Sequence, residues 1–277
     1  MAVHITDNFV TSTIVPFDGI NPNSPRIGIS NASTAATIFD SFNQLPTNPA
    51  QLTATPSTAE RWKESASDYH LWVSDVTGEA VDYVGIAAHR GLVGRQIKIL
   101  YLDDGQLYGV AGPEIVTSND PIFLTFPEVM PERVLITFES DEDFEMEVGI
   151  IYFGKSVTLP RNIQVGHTPI TYGRRTKKLI SNSDNGQFLG QVKTAGSLGS
   201  SVSMDNVPPE YYRDELHKQF ALKAEVLPFF WAWRPYKWKK EVGFVWLPPG
   251  SDVSVSNASP NGFMSIGFNM TGYLSND

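Results

Sequence analysis

The residues of this chain whose types could do chemistry are five histidines, one run of carboxylates and one run of indoles. His4, His70, His89, His167 and His217 are scattered. No two stand at the i, i+4 spacing that presents two imidazoles to one metal ion. The run "ESDEDFEME" places Glu139, Asp141, Glu142 and Asp143 close together. It offers hard oxygen ligands of the kind calcium takes, or paired carboxylates of the kind glycoside hydrolysis uses. It lacks the spacing of an EF-hand loop, and consecutive acids at a strand-to-strand turn ordinarily face water. "GLVGRQIK" has neither the glycine spacing nor the Lys-Ser/Thr ending of a phosphate loop, and Gly-x-Ser-x-Gly does not occur. The chain has no cysteine, which excludes disulfides and thiolate metal sites. The expectation is a protein that is not an enzyme, with no catalytic residue, metal site or cofactor.

The indoles make a different pattern. Residues 228–246 read "PFFWAWRPYKWKKEVGFVW" and hold Trp231, Trp233, Trp238 and Trp246, four of the six tryptophans. Exposed rings with polar neighbours would make a sugar platform. Rings interleaved with Lys237, Lys239 and Lys240 would suit a single-stranded nucleic acid. Rings in strand register would instead seal a core or a contact between subunits. Strand register fits Phe229, Phe230, Trp231, Trp233 and Trp246, which are the candidate interface residues. Trp238 sits in the charged, turn-like segment and is the ring expected to be exposed.

Such residues need elements to hold them. A chain of 277 residues, 41% hydrophobic, is long enough for two domains with cores of their own. No run of eighteen apolar residues exists, so membrane insertion is not expected. The opening residues lack a basic stretch followed by an apolar one, so no secretory leader is expected. Charge divides the chain: residues 1–153 hold 7 Lys and Arg against 21 Asp and Glu, about −14, and residues 154–277 hold 14 against 9, about +5. An acidic first half argues against nucleic acid as a partner, and opposite halves favour head-to-tail orientation of identical subunits.

Residues 1–45 are rich in Thr, Ser, Asn and Pro and predict an arm with short strands and turns. From residue 70, "YHLWVSD", "VDYVGIAA", "RQIKILYL", "PIFLTF", "RVLITFES" and "FEMEVGIIYFG" are short, β-branched or aromatic, and bounded by turn residues. They predict a sandwich or jelly roll over 46–153. Residues 154–277 predict an antiparallel sheet with one helix. Asn185-Gly186 marks a hairpin turn. "PPEYYRDELHKQFALKA" predicts the helix, with Tyr212, Leu216 and Phe220 as its apolar stripe and Asp205 or Asn206 as candidate caps. The fold class is therefore mainly β.

Two family resemblances attach to these segments. "AQLTATPSTAERWKES", "YHLWVSD" and "VDYVGIAAHRGLVGRQIKILYLDDGQ" resemble the galactose-binding-like (discoidin-type) sandwiches. The Asp-Leu-Gly usual there is replaced by "VSDVTG", and His89 is followed by Arg90 where Asn is usual. On that resemblance His89 and Arg90 are candidate ligand or partner contacts beside Trp238. "VGIIYFGKSVTLPRNI", "GHTPITYGRRTKKLISNSDNGQFLGQ" and "VPPEYYRDELHKQF…PFFWAWRPYKWKKEVGFVW" resemble tail-tip proteins of long-tailed (siphovirus-type) phages. That resemblance implies a distal tail structural protein of the virion, made in the host cytoplasm. It also implies a homo-oligomeric ring, with six copies as one option, joined to tube and hub proteins. The alternative is a carbohydrate-binding, host-adhesion protein whose partner is a host surface glycan.

Overall fold

The computed structural model describes residues 2–5, 23–33, 37–40, 47–73, 76, 78–257, 259 and 262–275. Three sheets and one helix stack in layers. The outermost sheet runs β3 (Ile38–Asp40), β4 (Trp62–Val73), β9 (Arg133–Val148), β6 (Gln96–Asp103), β7 (Gln106–Ile115). The next runs β1 (Ala2–Ile5), β8 (Ile122–Val129), β5 (Val81–Ala87), β10 (Ile150–Gly154). These two sheets form the β-sandwich. The third runs β11 (Val157–Thr158), β2 (Arg26–Gly28), β14 (Phe229–Ala232), β15 (Val242–Trp246), β17 (Met264–Gly272), β13 (Phe188–Val207), β12 (Arg174–Asn182), with β16 (Ser254–Asn257) also on β17. Pairing is antiparallel except between β1 and β8.

Three apolar clusters bind the layers. Trp62, Phe138, Val84, Ile86, Ile151 and Phe153 belong to the cluster between the two sandwich sheets. Tyr83, Phe123, Tyr152, Phe230 and Phe244 join the sandwich to the third sheet. Phe229 and Trp231 lie on the other side of that third sheet, with Leu216 and Phe220 of the helix α1 (209–224). The sheet at the centre of this stack is covered on both faces. That is why β5 and β10 are buried at every position and show no alternation of apolar and polar residues.

Close approach across the inner seam depends on glycine. A Cβ added at Gly85 would stand 2.5 Å from the Phe230 ring, and one at Gly28 would stand 2.5 Å from the Tyr83 ring. Both are far inside contact distance, so the absence of a side chain lets the sheets come together.

The structure departs from the sequence expectations in five places. The described parts of residues 1–45 are not a separate arm: Arg26–Gly28 inserts between β11 and β14, and Ile38–Asp40 pairs with β4. The third sheet is thus built from discontinuous chain; residues 6–22, 34–36 and 41–46 lie outside the described residues. "RVLITFES" and the start of "FEMEVGIIYFG" form one strand, β9, so the acid run lies inside a strand and not at a turn. β7 was missed because Gly109, Gly112 and Pro113 read as turn residues; an edge strand tolerates a proline. The helix has Pro208 at its N-cap and no side-chain cap. Asp205 instead accepts hydrogen bonds from Gln164 and Ser265, and Asn206, at φ 57°, sits in the irregular end of β13. Between Tyr212 and Ala221 the helix is wound i→i+5, which keeps Tyr212, Leu216 and Phe220 on its buried side.

One element projects. The β12–β13 hairpin turns at Ser183–Gln187, with Gly186 at φ 78°, as Asn185-Gly186 predicts. Every residue of β12 is exposed, and so is nearly all of β13 as far as Thr194. Leu179, Ile180, Phe188, Leu189 and Val192 are 60–65% exposed. Apolar neighbours in sequence point to opposite faces of a ribbon, so both faces carry large apolar groups. Leu179 and Val192 sit directly opposite one another.

Candidate functional site

The tryptophan-rich segment forms the expected strand, connection and returning strand, and the structure separates its rings. Phe229, Phe230 and Trp231 have no exposed surface. They cannot offer themselves to another subunit, because helix and sandwich of the same chain already cover both faces of β14. Trp233 is half-buried and its indole N–H donates to Glu241. Trp246 is half-buried beside Val226 and Leu227 at a second cavity of about 490 Å³. The contacts these rings seal lie within one chain: Phe230 between its halves, Phe229 and Trp231 between the third sheet and the helix.

Trp238 is 44% exposed, as its charged surroundings predict. Two turns hold its loop: Trp238 N–H donates to the Arg234 carbonyl at 2.8 Å, and Glu241 N–H to the Trp238 carbonyl at 3.0 Å. Lys237 N–H donates to the Asn23 side chain at 2.9 Å. The Lys237 ammonium stands 5.4 Å from the centre of the Trp238 ring, within cation–π range.

Facing this loop is Tyr172, 70% exposed, at the end of a short helical turn (Ile170–Tyr172). Ile170 is fully buried and anchors the turn, while Gly199 N–H donates to the Gly173 carbonyl at 2.8 Å. The third wall is the Thr117–Asp120 segment of the sandwich. Together they enclose a cleft of about 520 Å³ between the two halves of the chain, lined also by Lys237, Lys239, Lys240 and Glu241.

His89 does not line this cleft but supports one of its walls from within the core. It is buried, and its Nε2 lies 2.8 Å from the Asp120 carbonyl. A carbonyl only accepts, so Nε2 carries the proton and the imidazole fixes the Asp120 backbone. Burial pushes the His89 pKa down to about 4, against which the Asp120 carbonyl acts weakly, so the ring is neutral at pH 7. Its Nδ1 is buried without a partner. The Asp120 carboxylate accepts hydrogen bonds from Ser118 and Ser275 at 3.1 and 3.3 Å. Arg90, one residue on, is exposed, pairs its backbone with Glu147, and does not line the cleft.

Of the acid run, Glu139 is already engaged and Asp141, Glu142 and Asp143 are exposed. Glu139 is ion-paired with Lys98, and the Thr137 hydroxyl donates to it at 3.0 Å. The three carboxylates that do gather among the described residues are Asp103, Asp104 and Glu132, all exposed. Sequence reasoning missed Tyr172 and Asp120 as partners of Trp238. They lie more than sixty and more than a hundred residues away in the chain, and no local pattern joins them.

No family model matches the chain, and no curated protein matches it. Solved structures similar to part of it include chitosan-binding module 1 of a chitosanase/glucanase from Paenibacillus sp. IK-5, at 12% identity over 46% of this chain and 99% of that one, TM-score 0.39. Another is the Clostridium perfringens module GH89CBM32-6, at 10% identity over 46% and 99%, TM-score 0.38. A third is the family 32 module of C. perfringens NanJ in complex with galactose, at 16% identity over 44% and 98%, TM-score 0.34. At these identities and TM-scores none of them fixes a ligand for this chain.

Proposed function

We propose that this chain is a non-enzymatic structural protein that assembles with further copies of itself. In this reading it is a distal tail or tail-tip building block of a long-tailed phage, set between tube and hub proteins. The observation that carries the assembly role is the β12–β13 hairpin: an edge ribbon whose two faces expose five large apolar side chains. Unpaired strand edges and exposed apolar patches of this kind are places where chains join. The hairpin also carries Arg174, Arg175, Lys177, Lys178 and Lys193 against Asp184, so it is basic. The sandwich half of a neighbouring copy, at about −14, is its electrostatic complement. A closed ring would cover the ribbon and stop further growth.

Sedimentation of the full chain across a concentration series tests this. Assembly into one closed species is expected, with the double variant Phe188→Ser, Leu189→Ser held as monomer. Wild-type protein that stays monomeric at high concentration and is absent from particle tails overturns the proposal.

Carbohydrate recognition is the second reading, and a different observation favours it. Two exposed rings, Tyr172 and Trp238, line one cleft with polar groups around them, which is the composition of a small-molecule site. The two readings are compatible, since an assembled ring would display many copies of the cleft.

A further inference from the structure

We infer that the Tyr172–Trp238 cleft takes an acidic saccharide, a sugar bearing a carboxylate or phosphate group. The inference rests on carbohydrate recognition as the role of this cleft and adds the charge of the ligand. The rings supply the apolar surface: a phenol 70% exposed and an indole 44% exposed, carried by different parts of the chain. The volume of about 520 Å³ suits a ligand of one or two sugar rings and falls in the ordinary range of small-molecule sites.

The charge follows from the balance of ionised groups and from which of them are free to meet a ligand. Both acids of the cleft are occupied: Asp120 by the Ser118 and Ser275 hydroxyls, and Glu241, 8% exposed, by the Trp233 indole. Lys237, Lys239 and Lys240 are exposed, and none forms an ion pair among the described residues. Lys237 lies over the Trp238 ring, so an ammonium stands where a ligand stacked on the indole would place its substituents. Three ammonium groups stand against two carboxylates, whose charge the neutral hydroxyl and indole donors leave in place, so the wall is net positive and favours an anion. A nucleic acid would meet the same lysines and rings, but it needs a basic track several nucleotides long. Here the cleft ends on the sandwich, the acidic half of the chain.

The test uses the full chain on a glycan array in which acidic oligosaccharides (uronic, sialylated and phosphorylated) stand beside neutral counterparts of the same backbone. Oligodeoxythymidylate is the competing probe. Retention of acidic glycans is expected, weakening as salt rises. Roughly tenfold loss is expected in Trp238→Ala and in the double variant Lys239→Ala, Lys240→Ala. These residues are exposed, and an unchanged thermal midpoint confirms that each variant folds. Neutral and acidic glycans bound alike, with loss in Trp238→Ala, overturn the acidic ligand and leave carbohydrate recognition standing. No glycan retained at all overturns both. Preferential capture of the oligonucleotide replaces the saccharide with a nucleic acid.

Discussion

Phe230 and Gly85 give a sharp test of whether the aromatic strand seals the chain to itself. The Phe230 ring is fully buried, with ring centres of Phe244, Tyr152 and Phe123 at 5.0, 6.0 and 6.1 Å. Phe230→Ala removes a ring from a packed seam and is expected to cost about 3–5 kcal/mol. For a chain of this size that lowers the thermal midpoint by roughly 10 °C. Gly85→Ala acts from the other side, because its new methyl would stand 2.5 Å from the same ring. Overpacking of this kind costs about 1–3 kcal/mol. The two changes share one space, so the methyl of Gly85→Ala fits where the ring was removed. The double variant should be less destabilised than the sum of the singles by at least about 1 kcal/mol. Urea unfolding followed by tryptophan fluorescence measures all four proteins. Strictly additive losses would show that residues 85 and 230 do not touch. Near-neutral Phe230→Ala in the isolated chain, with a defect only in assembled particles, would place the ring between subunits and refute the intrachain seam.

Other outcomes follow from the same structure. His89 has a pKa of about 4 folded against 6.5 unperturbed, so the cost of charging its buried ring lowers stability by roughly 3 kcal/mol as pH falls from 6.5 to 4, with no penalty above pH 6.5. His89→Gln should flatten that part of the stability–pH curve; parallel curves would contradict the buried neutral ring. Glu147 is ion-paired with Lys63 and Arg61 at 2.6 and 2.7 Å, and the Lys63 hydrogen bond foremost holds its carboxyl below the usual 4.5. Its contribution is present at neutral pH and lost as pH falls through that lowered value, and Glu147→Gln should cost at most about 1 kcal/mol, less in high salt. Phe188→Ser with Leu189→Ser should abolish self-association while moving the monomer's thermal midpoint by less than about 2 °C, since neither side chain is buried. A large drop in midpoint would mean that the hairpin folds back on its own chain.

Local pattern made the layers legible where each strand carries its own bounds. "VDYVGIAA" and "RQIKILYL" lie within a residue of β5 and β6, and the helix stripe of Tyr212, Leu216 and Phe220 is the buried one. What stayed hidden is set by contacts distant in sequence. Nothing near Arg26–Gly28 says that it will slot beside β14, two hundred residues on. The rings of 229–231 announce burial, but a strand covered on both faces looks the same whether the second cover is another layer of its own chain or another molecule. The cleft was half legible. Trp238 stands out by its lysines, yet Tyr172 and Asp120 join it only through the packing of the two halves. His89 entered as a ligand contact and proves to be a support, holding the Asp120 backbone from within the core.

Burial and exposure divide the labour between two parts of one sheet. β13 is a single strand of twenty residues. Its second half carries Leu198, Val202, Met204 and Val207 into the core against the helix, while its first ten residues run out into the hairpin, about 33 Å at ordinary strand rise. The exposed arm is therefore a continuation of a buried strand and not a loop hung between elements. The hairpin continues a hydrogen-bonded ladder anchored by β17, whose own neighbour β15 is closed by the aromatic seam. Buried rings give the root its rigidity within one chain, while the tip holds its apolar groups, Phe188 among them, in solvent. Weakening the seam should loosen the arm's footing before it loosens the arm's own pairing. In hydrogen exchange, Phe230→Ala should lower protection of β14 and β15 while leaving the Leu179–Val192 pair unchanged; equal loss in both would mean that the arm and its root unfold as one unit.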